Sequence, residues 1–229
     1  MPSLYDRARH KLLAPILARL VPRVRRNDMT HLGTSYGGRE VPGSLLGAAS
    51  VCYCVGVGED ISFDKALIDA YGCDVHAFDP TPRSIAFVER QLADDPALAE
   101  KFHFEPVALW ESDGTQRFYS PANADHVSHS LTNLFGSDDY IEVPTKTLRT
   151  LMAERGHDRV DLLKIDIEGA EYAVVGQLLE GDVLPKILCV EFDQPTPARK
   201  TLALVKRLRE EAGYDFVSWN MYEWTFVRR

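Results

Sequence analysis

The sequence predicts an α/β domain built on a mostly parallel sheet with helices on both faces. Three features predict it. Short apolar, β-branched runs such as VCYCV (51–55), VDLLKID (160–166) and KILCVEF (186–192) read as strands buried on both faces. Segments with helical spacing alternate with them. No internal repeat divides the 229 residues, a length that suits one domain.

The elements follow in order. Residues 1–30 are expected to form an N-terminal helix and linker, and 31–229 the main domain. In LYDRARHKLLAPILARLVPRVRR, Leu12, Leu13, Ile16, Leu17 and Leu20 share one helical face. That face is expected to pack on the domain or on a second copy in a homodimer. A membrane-surface helix is the alternative, given Arg19, Arg23, Arg25 and Arg26 nearby. The apolar run is too short to span a bilayer and lacks a cleavage site for a secretory leader. After strand 51–55, ISFDKALIDAYG reads as a helix stopped by Gly72. DVHAF (74–78) is the second strand, and Pro82 opens the next helix. FHFEPVAL (102–109) reads as one strand, QRFYS as a short one, and 120–137 as a polar loop. YIEVPTKTL alternates like an edge strand, where Pro144 is tolerated. LRTLMAERG and 170–180 read as helices, and TPARKTLALVKRLREEAG as a long one capped by Thr196 and closed by Gly213. YDFVSW and EWTFVRR have no helix between them and predict an antiparallel C-terminal edge.

Composition narrows the function. The net charge is -8, so the basic footprint of a nucleic-acid binder is missing. Cys52, Cys54, Cys73 and Cys189 form no CxxC pair and read as reduced core thiols of a cytoplasmic protein.

Two stretches carry chemistry. In VCYCVGVGEDISFDKAL a glycine pair follows a buried strand and precedes a helix, which lets backbone approach a ligand closely. The third glycine of the dinucleotide fingerprint is missing, and Glu59 and Asp60 stand where a pyrophosphate would want no anions. Asp79 ends the next strand, 79 − 58 = 21 residues after Gly58, where a ribose diol is commonly bound. A turn aspartate in Asp79-Pro80-Thr81-Pro82 is the plainer reading. An adenosine ligand without a pyrophosphate points to S-adenosylmethionine. The second stretch, VDLLKIDIEGAE (160–171), is a buried strand ending in Asp166 at its C-terminal edge, where open α/β sheets bind ligands. Lys164 in so apolar a strand is expected to pair with an acid.

DLLKIDIEGAEY, together with GVGEDISFD, HAFDPTP and GTSYGGREVP (33–42), resembles the FkbM-type S-adenosylmethionine-dependent methyltransferases. The likeness runs from about residue 30 to residue 192. It implies a class I, Rossmann-like methyltransferase fold with a seven-stranded sheet. It also implies, most often, O-methylation of a sugar, polyketide or other small metabolite. Carried over, the resemblance puts Gly56, Gly58 and Glu59 at the cofactor's methionine and ribose portions and Asp79 at the ribose. Pro80, Thr81, Val107, Ala108 and Leu109 fall beside the adenine, and Asp166 falls where methyl and substrate meet. Tyr36 and Gly37 belong to a segment expected to fold over the pocket.

An alcohol needs its proton removed before it attacks a sulfonium methyl. One candidate device is the acid set Asp166, Glu191 and Asp193, whose oxygens suit Mg2+. Glu191 paired with Lys164, without metal, is the alternative. The other device is histidine, His126 or His129, in the polar loop. Two other classes compete. A NAD-binding oxidoreductase would need the third glycine. A non-catalytic adenosine-binding regulator would have no use for carboxylates at the strand ends.

Overall fold

The computed structural model describes residues 15–119, 138–192 and 197–229. Helical residues 15–20 (α1) lead into a hairpin, β1 (Met29–Leu32) and β2 (Arg39–Pro42). Then come β3 (Val51–Val55), α2 (Ser62–Tyr71), β4 (Asp74–Phe78), α3 (Pro82–Asp94) and β5 (Phe102–Glu105). A side unit follows: β6 (Ala108–Leu109), β7 (Gly114–Tyr119) and β8 (Tyr140–Lys146). The chain continues through α4 (Leu148–Arg155), β9 (Leu162–Ile165), α5 (Glu171–Glu180), β10 (Ile187–Glu191), α6 (Ala198–Glu210), β11 (Tyr214–Asn220) and β12 (Glu223–Arg228).

The main sheet has seven strands in the order β11-β12-β10-β9-β3-β4-β5. β10, β9, β3, β4 and β5 pair in parallel, and β12 pairs antiparallel with both β10 and β11. The terminal hairpin therefore makes the expected antiparallel edge, with the last strand lying inside the penultimate one. Alternate strand residues feed two cores. Tyr53, Val55, Leu163, Ile165 and Val190 face α4, α5 and α6, and Cys52, Cys54, Val75, Ala77 and Leu162 face α2 and α3. Leu32 and Val41 of the β1–β2 hairpin join the second face. All four cysteines are free and buried.

Three local expectations change. FHFEPVAL is broken, because Pro106 cannot donate to a ladder. Its last two residues leave the main sheet and pair with β8. β8 is thus the middle of a three-stranded sheet, although Pro144 lies just before the two positions that meet β6 and is flanked there by β7. In α1, Leu17 is buried with Ala18 and Val21, while Ile16 and Leu20 are exposed. The docked face is rotated because the chain is tied at Val24, whose N–H donates to the Phe216 carbonyl. Leu12, Leu13 and Thr196 lie outside the described residues. Gly213 keeps a positive φ of 73° between α6 and β11.

Candidate functional site

A cavity of about 630 Å3 opens at the C-terminal edge of the parallel strands, between the ends of β3, β4 and β9. The glycine turn forms one wall. Gly56 has φ 82°, and a Cβ there would overlap the Asp166 carbonyl oxygen, so β3 and β9 approach as closely as backbone allows. Gly58 has φ 58°, and a Cβ there would meet open space.

Asp79 shapes this turn. One carboxylate oxygen accepts from the Val57 and Gly58 N–H groups, each at 3.0 Å. The other accepts from the N–H and the hydroxyl of Thr81. Thr81 in turn caps α3 by accepting from the Ser84 N–H. Asp79 lines the cavity, yet its four hydrogen bonds hold the loop and the α3 start. These are the hydrogen bonds of the turn aspartate that the sequence also offered as a reading. Glu59 also lines the cavity and is paired with Arg83 at 2.6 Å. Pro80, Ala108, Leu109, Tyr36 and Gly37 are on the wall, whereas Val107 is buried away from it.

The floor is ionic. Asp166 follows β9, Glu191 ends β10 and Glu223 begins β12. Register pairs Ile165 with Val190 and Glu191 with Glu223, so the three carboxylates form a row across neighbouring strands. Like charges directly opposite destabilise a sheet. Here Arg39 of β2 enters the row with its side chain 3% exposed. Its Nη2 donates to Asp166 (3.1 Å) and Glu191 (2.6 Å), and its Nη1 to Glu223 (2.5 Å). Nη1 also donates to the Gly37 and Gly38 carbonyls, which fastens the 33–38 turn to the floor. Lys164 donates to the Gly56 carbonyl at 2.6 Å and lies 3.5 Å from Asp166. The partner of Glu191 is therefore Arg39 and not Lys164. Removing one partner from such a buried pair costs about 3–5 kcal/mol.

Burial raises Glu191 well above the usual carboxylate range, and the Asp166 charge adds to this. Burial raises Glu223 as well. Burial alone would also raise Asp166, but Lys164 and Arg39 outweigh it and hold it low. Asp166 is thus held as a carboxylate, and Glu191 takes up a proton before it does.

The metal expected on Asp166, Glu191 and Asp193 does not fit this arrangement. A guanidinium stands between the first two, and no group of three metal-ligating side chains among the described residues could hold an ion. Asp193, His126 and His129 lie outside the described residues.

Sequence reasoning missed three features. Arg39 sits in the quoted GTSYGGREVP stretch, but its partners are 127 to 184 residues away. Asp64 on α2 lines the cavity, and its Oδ1 is buried with no hydrogen-bond partner. Burial raises its carboxyl above the ordinary range. Glu168 holds φ 52°, a left-handed conformation uncommon outside glycine, in the IEGAE turn beside the cavity. That turn is secured by Glu171, which accepts from the Ile167 N–H at 3.0 Å and is pushed up to about 8 by burial. Of the terminal aromatics, Phe216 and Trp224 pack in the core with tilted rings 4.8 Å apart, while Tyr222 lines the cavity.

The model of the methyltransferase FkbM domain matches residues 51–216. The chain belongs to the FkbM methyltransferase family. Two curated relatives, the human and the rat "Probable methyltransferase-like protein 24", are each 29% identical to it over 135 residues. That alignment covers 59% of this chain and 30% of each relative, so this FkbM-family chain corresponds to under a third of their length. The crystal structure of methyltransferase FkbM from Methylobacillus flagellatus KT superimposes with a TM-score of 0.52 at 13% identity, covering 97% of this chain and 60% of that one. The shared fold is the Rossmann-like class I methyltransferase sheet. Arg39 and Glu223 both lie outside the stretch matched by the family model, one on each side of it.

Proposed function

We propose that this protein, through the domain 31–229, transfers a methyl group from S-adenosylmethionine to a hydroxyl of a small metabolite, with sugars and glycosides as the acceptor class. The observation that carries this reading is the meeting of the Gly56–Gly58 turn, Asp64, Asp79 and Asp166 around one cavity at the strand ends. The residues present suit the cofactor. A missing side chain at Gly58 leaves room beside the turn. The unpartnered Asp64 oxygen is an acceptor for an ammonium group. Glu59 and Asp60 on the same wall disfavour the pyrophosphate of a NAD-binding oxidoreductase.

When bound, S-adenosylmethionine supplies an electrophilic methyl on a positively charged sulfur. The chain's part is positioning and proton handling. Asp79 shapes the turn that would hold the nucleoside, with Glu59, Thr81, Ala108 and Leu109 around it. Tyr36 and Gly37 close the outer wall with Tyr222. Asp166, ionised and held by Lys164 and Arg39, accepts the hydroxyl proton, and Glu191 keeps a proton in the same row. His126 and His129 are the second candidates for the base. The carboxylate row and Tyr36 and Tyr222 suit a hydroxyl-rich substrate, by hydrogen bonds and ring stacking. The buried free thiols support a reducing, cytoplasmic setting.

The test is methyl transfer from labelled S-adenosylmethionine to a panel of sugars, glycosides and hydroxylated metabolites. Asp166→Asn is expected to lower the rate by roughly 10²–10⁴, the contribution of a general base. A wild-type rate confined to amine acceptors would contradict the oxygen reading.

A further inference from the structure

We propose that Arg39 is a positioning residue of this site, a tethered cation that stands where a divalent ion would and holds Asp166 and Glu191 in place without metal. The consequence for catalysis rests on the methyl-transfer reading; the structural claim does not.

Asp166, Glu191 and Glu223 are brought level by the pairing of β9, β10 and β12, and nothing in the sheet separates them. Such a row needs a positive centre, and oxygen-rich carboxylate sets commonly take a hard divalent cation. A guanidinium can do the same with directed donors, since its planar fork reaches several carboxylates at fixed angles. Arg39 makes all three contacts from a nearly fully buried position. It is fixed there by its own strand. Glu40 accepts from Ser218, and the Glu40 carbonyl accepts from Thr225 at 2.8 Å, so β2 is clamped to β11 and β12. The Gly37 and Gly38 carbonyls of the 33–38 turn accept from Nη1, the atom that also reaches Glu223. Arg39 therefore couples the floor of the cavity to the turn that carries Tyr36 and Gly37 on its wall. An ion could be exchanged or stripped; this cation cannot leave while the hairpin is folded.

The experiment uses the full chain. Mn2+ uptake is followed by electron paramagnetic resonance, and S-adenosylmethionine affinity by calorimetry with Mg2+ or with a chelator. The variants are wild type, Arg39→Ala, Arg39→Lys and the double variant Arg39→Ala/Glu191→Gln. Wild type is expected to take up no Mn2+ and to show one affinity under both conditions. Arg39→Ala frees the carboxylates. It is expected to weaken S-adenosylmethionine binding roughly tenfold to a hundredfold, the size of one lost charged hydrogen bond. It should also gain a Mn2+ signal that the double variant lacks. Arg39→Lys keeps a cation and is expected to recover part of the affinity without taking up Mn2+. Mn2+ bound by wild type would overturn the proposal. So would an Arg39→Ala protein that folds and neither loses affinity nor gains Mn2+. Should Arg39→Ala fail to fold, wild type and Arg39→Lys decide: a Mn2+ signal in either overturns the proposal, and none in both supports it. Absence of S-adenosylmethionine binding to wild type would sink the methyl-transfer reading, while the Mn2+ arm would still judge Arg39.

Discussion

Gly56 shows how little freedom the site has at the scale of one residue. Its positive φ and the Asp166 carbonyl both forbid a side chain. Gly56→Ala is therefore expected to abolish S-adenosylmethionine binding in calorimetry and to lower the melting temperature; an alanine protein with wild-type affinity would refute this account of the turn. Gly58 has open space instead, so its backbone conformation is the main constraint. Gly56, Asp79 and Asp166 were legible in the sequence because each has a local sign: a glycine after a strand, an acid at a strand end. Arg39 has none. Its three acids come from β9, β10 and β12, and only tertiary pairing brings them to β2. Asp64 looked like any polar residue of an amphipathic helix, and its burial comes from the sheet beneath it.

At the scale of elements, strands and helices followed their apolar periods wherever one face or both were buried. The exceptions are informative. Pro106 splits an apolar run that hydrophobicity alone would continue, and the freed Ala108–Leu109 pair lands on the cavity wall. The α1 face was read from spacing, but docking of residues near Phe216 rotated it. Across β3, β4 and β5, with the turn after α4, a group assembles that spacing did not reveal. His76 stacks on His103 at 4.8 Å and meets His157 edge-on at 4.8 Å. Tyr53 hydrogen-bonds His157 at 2.8 Å. Burial, with the neighbouring His157, His103 and Arg155, pushes His76 down to about 3 from 6.5. Its depressed value means the unfolded state binds more protons between those limits. Stability from a neutral His76 is therefore full above pH 6.5 and is lost as pH falls toward 3. Acid melts should show the melting temperature falling across that window, and His76→Phe should flatten the fall. An unchanged slope in the variant would remove His76 as the cause. Asp74 beside His103 and Glu105 beside Arg155 face the same group and stay ionised over most of the window.

At the scale of the whole molecule, the described residues form a seven-stranded sheet, a three-stranded side sheet and the β1–β2 hairpin, which lies over the cavity floor. Five parallel strands point their C-terminal ends at the cavity, and the antiparallel β12 returns to supply Glu223. The β1–β2 hairpin, upstream of the stretch matched by the family model, completes the floor. The class of fold could be read from alternating strands and helices, and the resemblance of several motifs in order narrowed it further. The acceptor could not, because residues 120–137 carry no periodic pattern, and substrate recognition depends on side chains converging from separate elements. On the methyl-transfer reading, the glycine turn and its acids hold an adenosine ligand bearing a sulfonium. Calorimetric titration of S-adenosylmethionine and NAD+ into the purified chain tests it most directly. Saturable S-adenosylmethionine binding, independent of Mg2+, is expected, and none for NAD+. Binding of NAD+ in its place, or of neither, would contradict it.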